Sequence, residues 1–224
     1  MSGATSADWE DVLSAAAHLQ QLLPGATLVG GTAAAIFARH RVSHDADHVL
    51  PDLRSRFDEV LAQLESVAGW RTSRVQRPVL ILGSLDGIET GVRQLIRDRP
   101  LETQEVAVGN LRLLVPTEAE ILRIKGALIL RRNATRDYLD FAALADRLGA
   151  DGVLAALEEF DSLYPQESGE SALQQLHVQL ARPLPYDLEG TDLSEYRRLH
   201  PDWHDWGRVE GLCARIAADL FHRL

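Results

Sequence analysis

Apolar and polar positions alternate in blocks whose period changes along the chain. From Ser6 to about Leu23 the apolar residues recur at helical spacing, and Pro24-Gly25 ends the run, predicting a first helix. Ala26 to Val29 is short, apolar and bounded by glycine, so it reads as a buried strand. Gly30-Gly31-Thr32 then opens a helix of small residues. Asp47 to Leu50 is a second short strand, and Asp52 to Val67 returns to helical spacing through Phe57, Val60, Leu61 and Leu64.

A β-rich stretch follows. Val79–Leu85 and Ile88–Ile96 flank Asp86-Gly87, a pair that favours the tight turn of a two-residue hairpin. Val106–Val108 and Leu111–Val115 flank Gly109-Asn110 in the same way. Thr117-Glu118-Ala119-Glu120, just after Pro116, is a capping box and predicts a helix to about Arg132. A break at Asn133-Ala134-Thr135 leads to a further helix from Arg136 to Leu148. Beyond Asp151 the pattern is mostly helical, interrupted by Pro183, Pro185 and a Trp/His-rich turn. The expectation is an α+β core over residues 1–115, with a mixed sheet and helices, and a helical lobe over 116–224.

With 224 residues, 46% of them apolar, the chain is long enough for a real core. One cysteine, Cys213, excludes a disulfide framework and a four-cysteine zinc site; its apolar helical neighbours Leu212, Ile216 and Leu220 make it a core residue. No run approaches the roughly 18 apolar residues of a membrane span, and the start MSGATSADWEDVL does not read as a signal peptide. A cytoplasmic, soluble protein is expected. Trp9 and Trp70 are expected core anchors, and His200 to Trp206 an aromatic packing turn.

The net charge of −10 argues against non-specific coating of nucleic acid. Residues 151–224 hold 14 acids and 6 bases, and 1–150 are close to neutral. Between Arg123 and Arg136 lie five bases and no acid, a local strip able to meet a polyphosphate. Among 23 basic residues Lys125 is the one lysine. It sits one turn after Ile121, at the edge of a stripe formed by Ile121, Ile124 and Leu128, so its stem is expected on the core and its ammonium in a cleft.

Three groups could carry chemistry. Gly30, Gly31 and Thr32 at a strand-to-helix junction would let backbone N–H groups approach a phosphate. In Arg41-Val42-Ser43-His44-Asp45-Ala46-Asp47 the two aspartates are two apart, so an extended chain puts both on one side of a sheet, a fit for Mg²⁺. Lys125 is followed by Arg136-Asp137-Tyr138-Leu139-Asp140, whose aspartates share a helix face; Asp140 could also simply pair with Arg136. A His44-Asp45 metal site would need further histidines at suitable spacing.

Taken in order, LVGGTAAAIFARHRVSHDAD (28–47) and VPTEAEILRIKGALILRRNATRDYLDFAAL (115–144) resemble the AbiEii/MenT-like nucleotidyltransferase toxins of AbiE-type toxin–antitoxin systems. That resemblance implies a DNA-polymerase-β-like nucleotidyltransferase core followed by a helical lobe, and a separately encoded antitoxin as partner. It gives the nucleotide phosphates to Gly30, Gly31, Thr32 and Lys125, with Ser43 a nearby contact. Mg²⁺, one ion or two, goes to Asp45 and Asp47, and the late catalytic aspartate is Asp137. Asp45, Asp47, Lys125 and Asp137 are then catalytic, and Arg131, Arg132 and Arg136 contact the acceptor, of which the tRNA 3′ end is the first choice. Glu89 is the candidate for a third carboxylate. Asp45→Ala or Lys125→Ala is expected to abolish activity in a folded protein. The rivals are a small-molecule or protein acceptor, and a module that binds nucleotide or antitoxin without turnover.

Overall fold

The fold is described from a computed structural model, for residues 9–222. The expected helix start at Ser6 lies outside those residues. The described chain divides into two compact units: one holds the chain up to Ala33 and Ser43–Pro116, the other Ala34–Val42 and the chain from Thr117 onward.

The first unit begins with α1 (Trp9–Leu22), β1 (Thr27–Leu28) and α2 (Gly30–Ala38), whose last residues belong to the second unit. It continues with β2 (Asp45–Leu50), α3 (Phe57–Glu65), β3 (Trp70–Gln76), β4 (Leu80–Leu85), β5 (Ile88–Gln94), β6 (Thr103–Val108) and β7 (Leu111–Pro116). Five strands form one sheet in the order β1-β2-β5-β4-β3, and β6-β7 is a separate hairpin. β2 runs parallel to β5 while the other pairs are antiparallel, so the sheet is mixed. The hairpin expected at Asp86-Gly87 forms, with φ of 53° and 85° at the two turn residues, the left-handed conformation a two-residue turn requires.

Hydrophobic burial fixes one face of this sheet. Leu50, Val92, Ile81, Leu85 and Trp70 pack with Leu19 and Leu23 of α1 and with Phe57, Val60 and Leu64 of α3. β2 obeys the two-residue period throughout: Ala46, His48 and Leu50 are buried, Asp45, Asp47 and Val49 half-buried. Trp70 is a core residue as expected, whereas Trp9 is only half-buried. β3 has no counterpart among the expected strands. Its residues after Trp70 are exposed on both faces of an edge strand, so it carries no apolar alternation to read.

The second unit is built from α4 (Glu118–Arg132), α5 (Thr135–Leu157), α6 (Phe160–Leu163), α7 (Ala172–Ala181) and α8 (Trp206–Phe221). The capping box works as expected, Thr117 accepting from the Glu120 N–H at 3.2 Å. α4 ends on Asn133 in the left-handed region. α5 runs nine residues past the expected end, through a kink at Gly149. α4 is buried nearly all round: Ile121, Leu122, Ala127 and Ile129 are core, while Ile124 and Leu128 of the expected stripe are half-buried. Cys213 is buried, and burial pushes its thiol up to about 12. The His200–Trp206 stretch packs Trp203 in a short 3₁₀ turn.

Candidate functional site

The first unit gathers the glycine turn and the paired aspartates at β2. Val29 N–H donates to the Asp47 carbonyl at 2.8 Å, and Gly30 turns the chain into α2 with φ of 76°. A side chain at Gly30 would meet Asp47 at 3.6 Å, an ordinary contact; what demands glycine there is the positive φ. Thr32 is buried, and its hydroxyl donates to the Asp45 carbonyl at 2.5 Å. That hydroxyl therefore ties α2 to β2, and it is the backbone N–H groups of this turn that remain suited to a phosphate.

Asp45 and Asp47 stand on one half-buried face of β2, as their spacing predicts. Ser43 is buried and donates to Asp45 Oδ1 at 2.6 Å, orienting that carboxylate. In the parallel register Asp45 lies beside Glu89 and Asp47 beside Gly91. Glu89 thus shares the aspartate face and is exposed. Arg93, two positions beyond Gly91, brings Nη2 to 3.7 Å from Asp47 Oδ1. Hard carboxylate oxygens on one face suit Mg²⁺, which keeps substrate or water oxygens for the rest of its shell. Among the described residues no group of three or more His, Cys, Asp or Glu side chains is placed to hold a metal ion.

On the opposite face of β2, His48 is fully buried. Nδ1 lies 3.0 Å from the Ala46 carbonyl, and desolvation lowers the imidazole to about 4. It is a neutral core residue.

The second unit holds a separate charged cluster around Asp140, a fully buried carboxylate. His40 Nε2 donates to its Oδ1 at 2.7 Å, Arg41 donates through Nε at 2.8 Å and Nη2 at 3.0 Å, and the Lys125 ammonium sits 2.6 Å from Oδ2. Burial alone would raise this carboxyl; Arg41, Lys125 and His40 together overcome it and hold the group well below the usual carboxylate range. Asp137, also fully buried, takes a bidentate pair from Arg132 at 2.6 and 2.8 Å, with Lys125 at 3.5 Å. The segment before Ser43 is held by the same unit: His200 N–H donates to the His40 carbonyl, and Val42 N–H to the Arg197 carbonyl.

Two expectations change. The Lys125 ammonium does not stand in a cleft: a cation on a helix buried nearly all round needs an anion, and Asp140 supplies it rather than pairing with Arg136. Nor is Arg123–Arg136 a continuous basic face. Arg123 is buried against Glu120 and the Ala156 carbonyl, Lys125 is buried, and Arg132 is committed to Asp137; Arg131 and Arg136 are exposed. The sequence pattern assigns no role to His40, Arg41 or Arg93. Arg41 opens the Arg-x-Ser-x-Asp-x-Asp run, and that position was the available signal for it.

No protein-family model matches the chain. A 96-residue stretch is 44% identical to the heme uptake protein MmpL11 of Mycobacterium tuberculosis, covering 41% of this chain and 10% of that protein. A 133-residue stretch is 35% identical to the mycolic acid-containing lipids exporter MmpL11 of Mycolicibacterium smegmatis, covering 55% and 13%. The chain thus spans about a tenth of the length of the curated relatives it matches. Among solved structures it is similar to a candidate nucleotidyltransferase from Helicobacter pylori, at a TM-score of 0.56, 14% identity and coverage of 96% of this chain and 93% of that one. JHP933 from Helicobacter pylori gives 0.54, 14%, 94% and 89%. The antibiotic-resistance factor ANT(2'')-Ia gives 0.50, 18%, 76% and 96%. At such identities what is shared is the fold, a nucleotidyltransferase-type α+β core with a helical C-terminal region. Among the described residues no helix is long and apolar enough to cross a membrane.

Proposed function

We propose that this chain is a nucleotidyltransferase that moves a nucleotide from an NTP to an acceptor hydroxyl, releasing pyrophosphate. The observation that carries this reading is the pair Asp45 and Asp47 on one half-buried face of β2, with the Gly30 turn packed on Asp47, in a chain of nucleotidyltransferase fold. Asp45 and Asp47 would hold Mg²⁺, with Glu89 beside Asp45 on the same face. The ion supplies charge neutralisation at the α-phosphate when bound there. Ser43 keeps the Asp45 carboxylate in one orientation. The N–H groups of Gly31 and Thr32 receive phosphate oxygens. The acceptor hydroxyl gives its proton to water as its oxygen bonds to the α-phosphorus and the bond to the pyrophosphate oxygen breaks.

Lys125 and Asp137 belong to this reading as charge partners of the triphosphate and of the acceptor hydroxyl. Both are engaged in buried ion pairs, so the reading requires those pairs to open when substrate binds. The order of motifs supports the finer assignment: a toxin of the AbiEii/MenT-like group with a cognate antitoxin, acting in the cytoplasm on the 3′ end of tRNA, with Arg131, Arg132 and Arg136 toward the acceptor backbone.

A second reading has its own support. The stretches at 35–44% identity lie in much larger proteins of heme uptake and lipid export, not of nucleotidyl transfer, so the second reading is a nucleotide-binding module without turnover. Incubation with Mg²⁺, each α-labelled NTP, and either total RNA or total protein separates the two. Label on RNA supports the tRNA assignment, and label on protein moves the acceptor. Bound NTP with no pyrophosphate released under any acceptor supports the module and defeats the transferase.

A further inference from the structure

Resting on the nucleotidyl-transfer reading, we propose that Arg93 is a phosphate ligand of the site: its guanidinium lies against Asp47 and moves to the polyphosphate of the nucleotide when that binds. β5 lies beside β2 in parallel register, with Asp47 opposite Gly91 and Val49 opposite Arg93. Side chains of paired residues share a face, so Asp45, Asp47, Glu89 and Arg93 line one surface of the sheet. Between Asp47 and Arg93 the intervening position is Gly91. A side chain there would collide with the Leu82 side chain and lie 2.9 Å from the Ile81 carbonyl. β5 therefore places nothing of its own between the guanidinium and the aspartate.

The contact that results is loose. At 3.7 Å from Asp47 Oδ1 the guanidinium is beyond hydrogen-bond range, and its side chain is 47% exposed. Little holds it to Asp47, in contrast to the bidentate grip of Arg132 on Asp137. A guanidinium offers a planar fork matched to two oxygens of a phosphate. The face it joins carries three carboxylates, which by themselves would repel a triphosphate. A cation on that face, poised beside the aspartates and free to exchange partner, supplies the attraction. If Arg93 merely neutralised Asp47, Arg93→Lys, which keeps the charge, would bind polyphosphate as the parent does.

The test uses the full chain and three proteins: the parent, Arg93→Gln and Arg93→Lys. Pyrophosphate and each NTP are titrated calorimetrically with Mg²⁺ present, and Mn²⁺ alone is titrated by electron paramagnetic resonance. In Arg93→Gln the pyrophosphate and NTP dissociation constants should rise about 10-fold or more, the loss of a charge-assisted contact. Arg93→Lys, which keeps the charge and loses the fork, should recover part of the loss. Mn²⁺ should bind Arg93→Gln at least as tightly as the parent, because the neighbouring cation has gone. Unchanged pyrophosphate binding in Arg93→Gln overturns the proposal while leaving nucleotidyl transfer standing. Weakened Mn²⁺ binding also overturns it, by making Arg93 a support of the carboxylates. A parent protein that binds neither pyrophosphate nor any NTP defeats the transferase reading and this inference together.

Discussion

Asp140 is the shared anion of a buried charged cluster. Its carboxylate is enclosed by His40, Arg41 and Lys125, and removing one member of such a buried set strands charge. Asp140→Asn should therefore lose about 3–5 kcal/mol in urea unfolding. Lys125→Met should lose less, because Asp140 keeps Arg41 and His40. A midpoint for Asp140→Asn within experimental error of the parent's would contradict this account. The sign with pH follows from the depressed native value: the stabilisation is complete above the unfolded carboxyl value of about 3.9 and disappears as pH falls below it. One consequence is that lost activity in a Lys125 variant marks catalysis only if the variant is shown to be folded, which the sequence did not lead one to expect. His48 acts in a neighbouring window. An imidazole lowered to about 4 in the core cannot take the proton that the unfolded chain takes below about 6.5. Stability should fall by about 2 kcal/mol between pH 6.5 and pH 5 on this ground, and His48→Gln should flatten that slope. A slope identical in parent and variant would mean the proton goes elsewhere.

Among the elements, those with a local signature were legible and those fixed by distant partners were not. The Asp86-Gly87 hairpin, the glycine turn into α2 and the start of α4 are short-range features, written in neighbouring residues. Thr117→Ala should cost about 1 kcal/mol through loss of the cap, with Thr117→Ser close to neutral; equal unfolding midpoints for Thr117→Ala and the parent would show that the cap contributes nothing. β3 is illegible in the sequence because its residues after Trp70 are exposed while the strand pairs with β4. The placing of Asp45 and Asp47 on one face needed only the two-residue period of a strand. That Glu89 joins them needed the parallel register of β2 on β5, and the Arg41–Asp140 pair joins residues 99 apart in sequence. Spacing cannot supply either.

At the scale of the whole molecule, charge that looked like a surface feature is in part interior wiring. Of the five bases between Arg123 and Arg136, two are buried and one grips Asp137, so a run in the sequence overstates the cation available to a polyanionic partner. The net charge of −10 then weighs against broad electrostatic capture, and any acceptor must be held by a few specific contacts. If the β2 aspartates form a nucleotidyl-transfer site, the most direct measurement is pyrophosphate release from NTP with Mg²⁺ and total RNA by the parent and Asp45→Asn. The parent should release pyrophosphate, the variant should fall by about 10²-fold or more, and both should share one unfolding midpoint. Release by Asp45→Asn at the parent's rate would contradict that assignment.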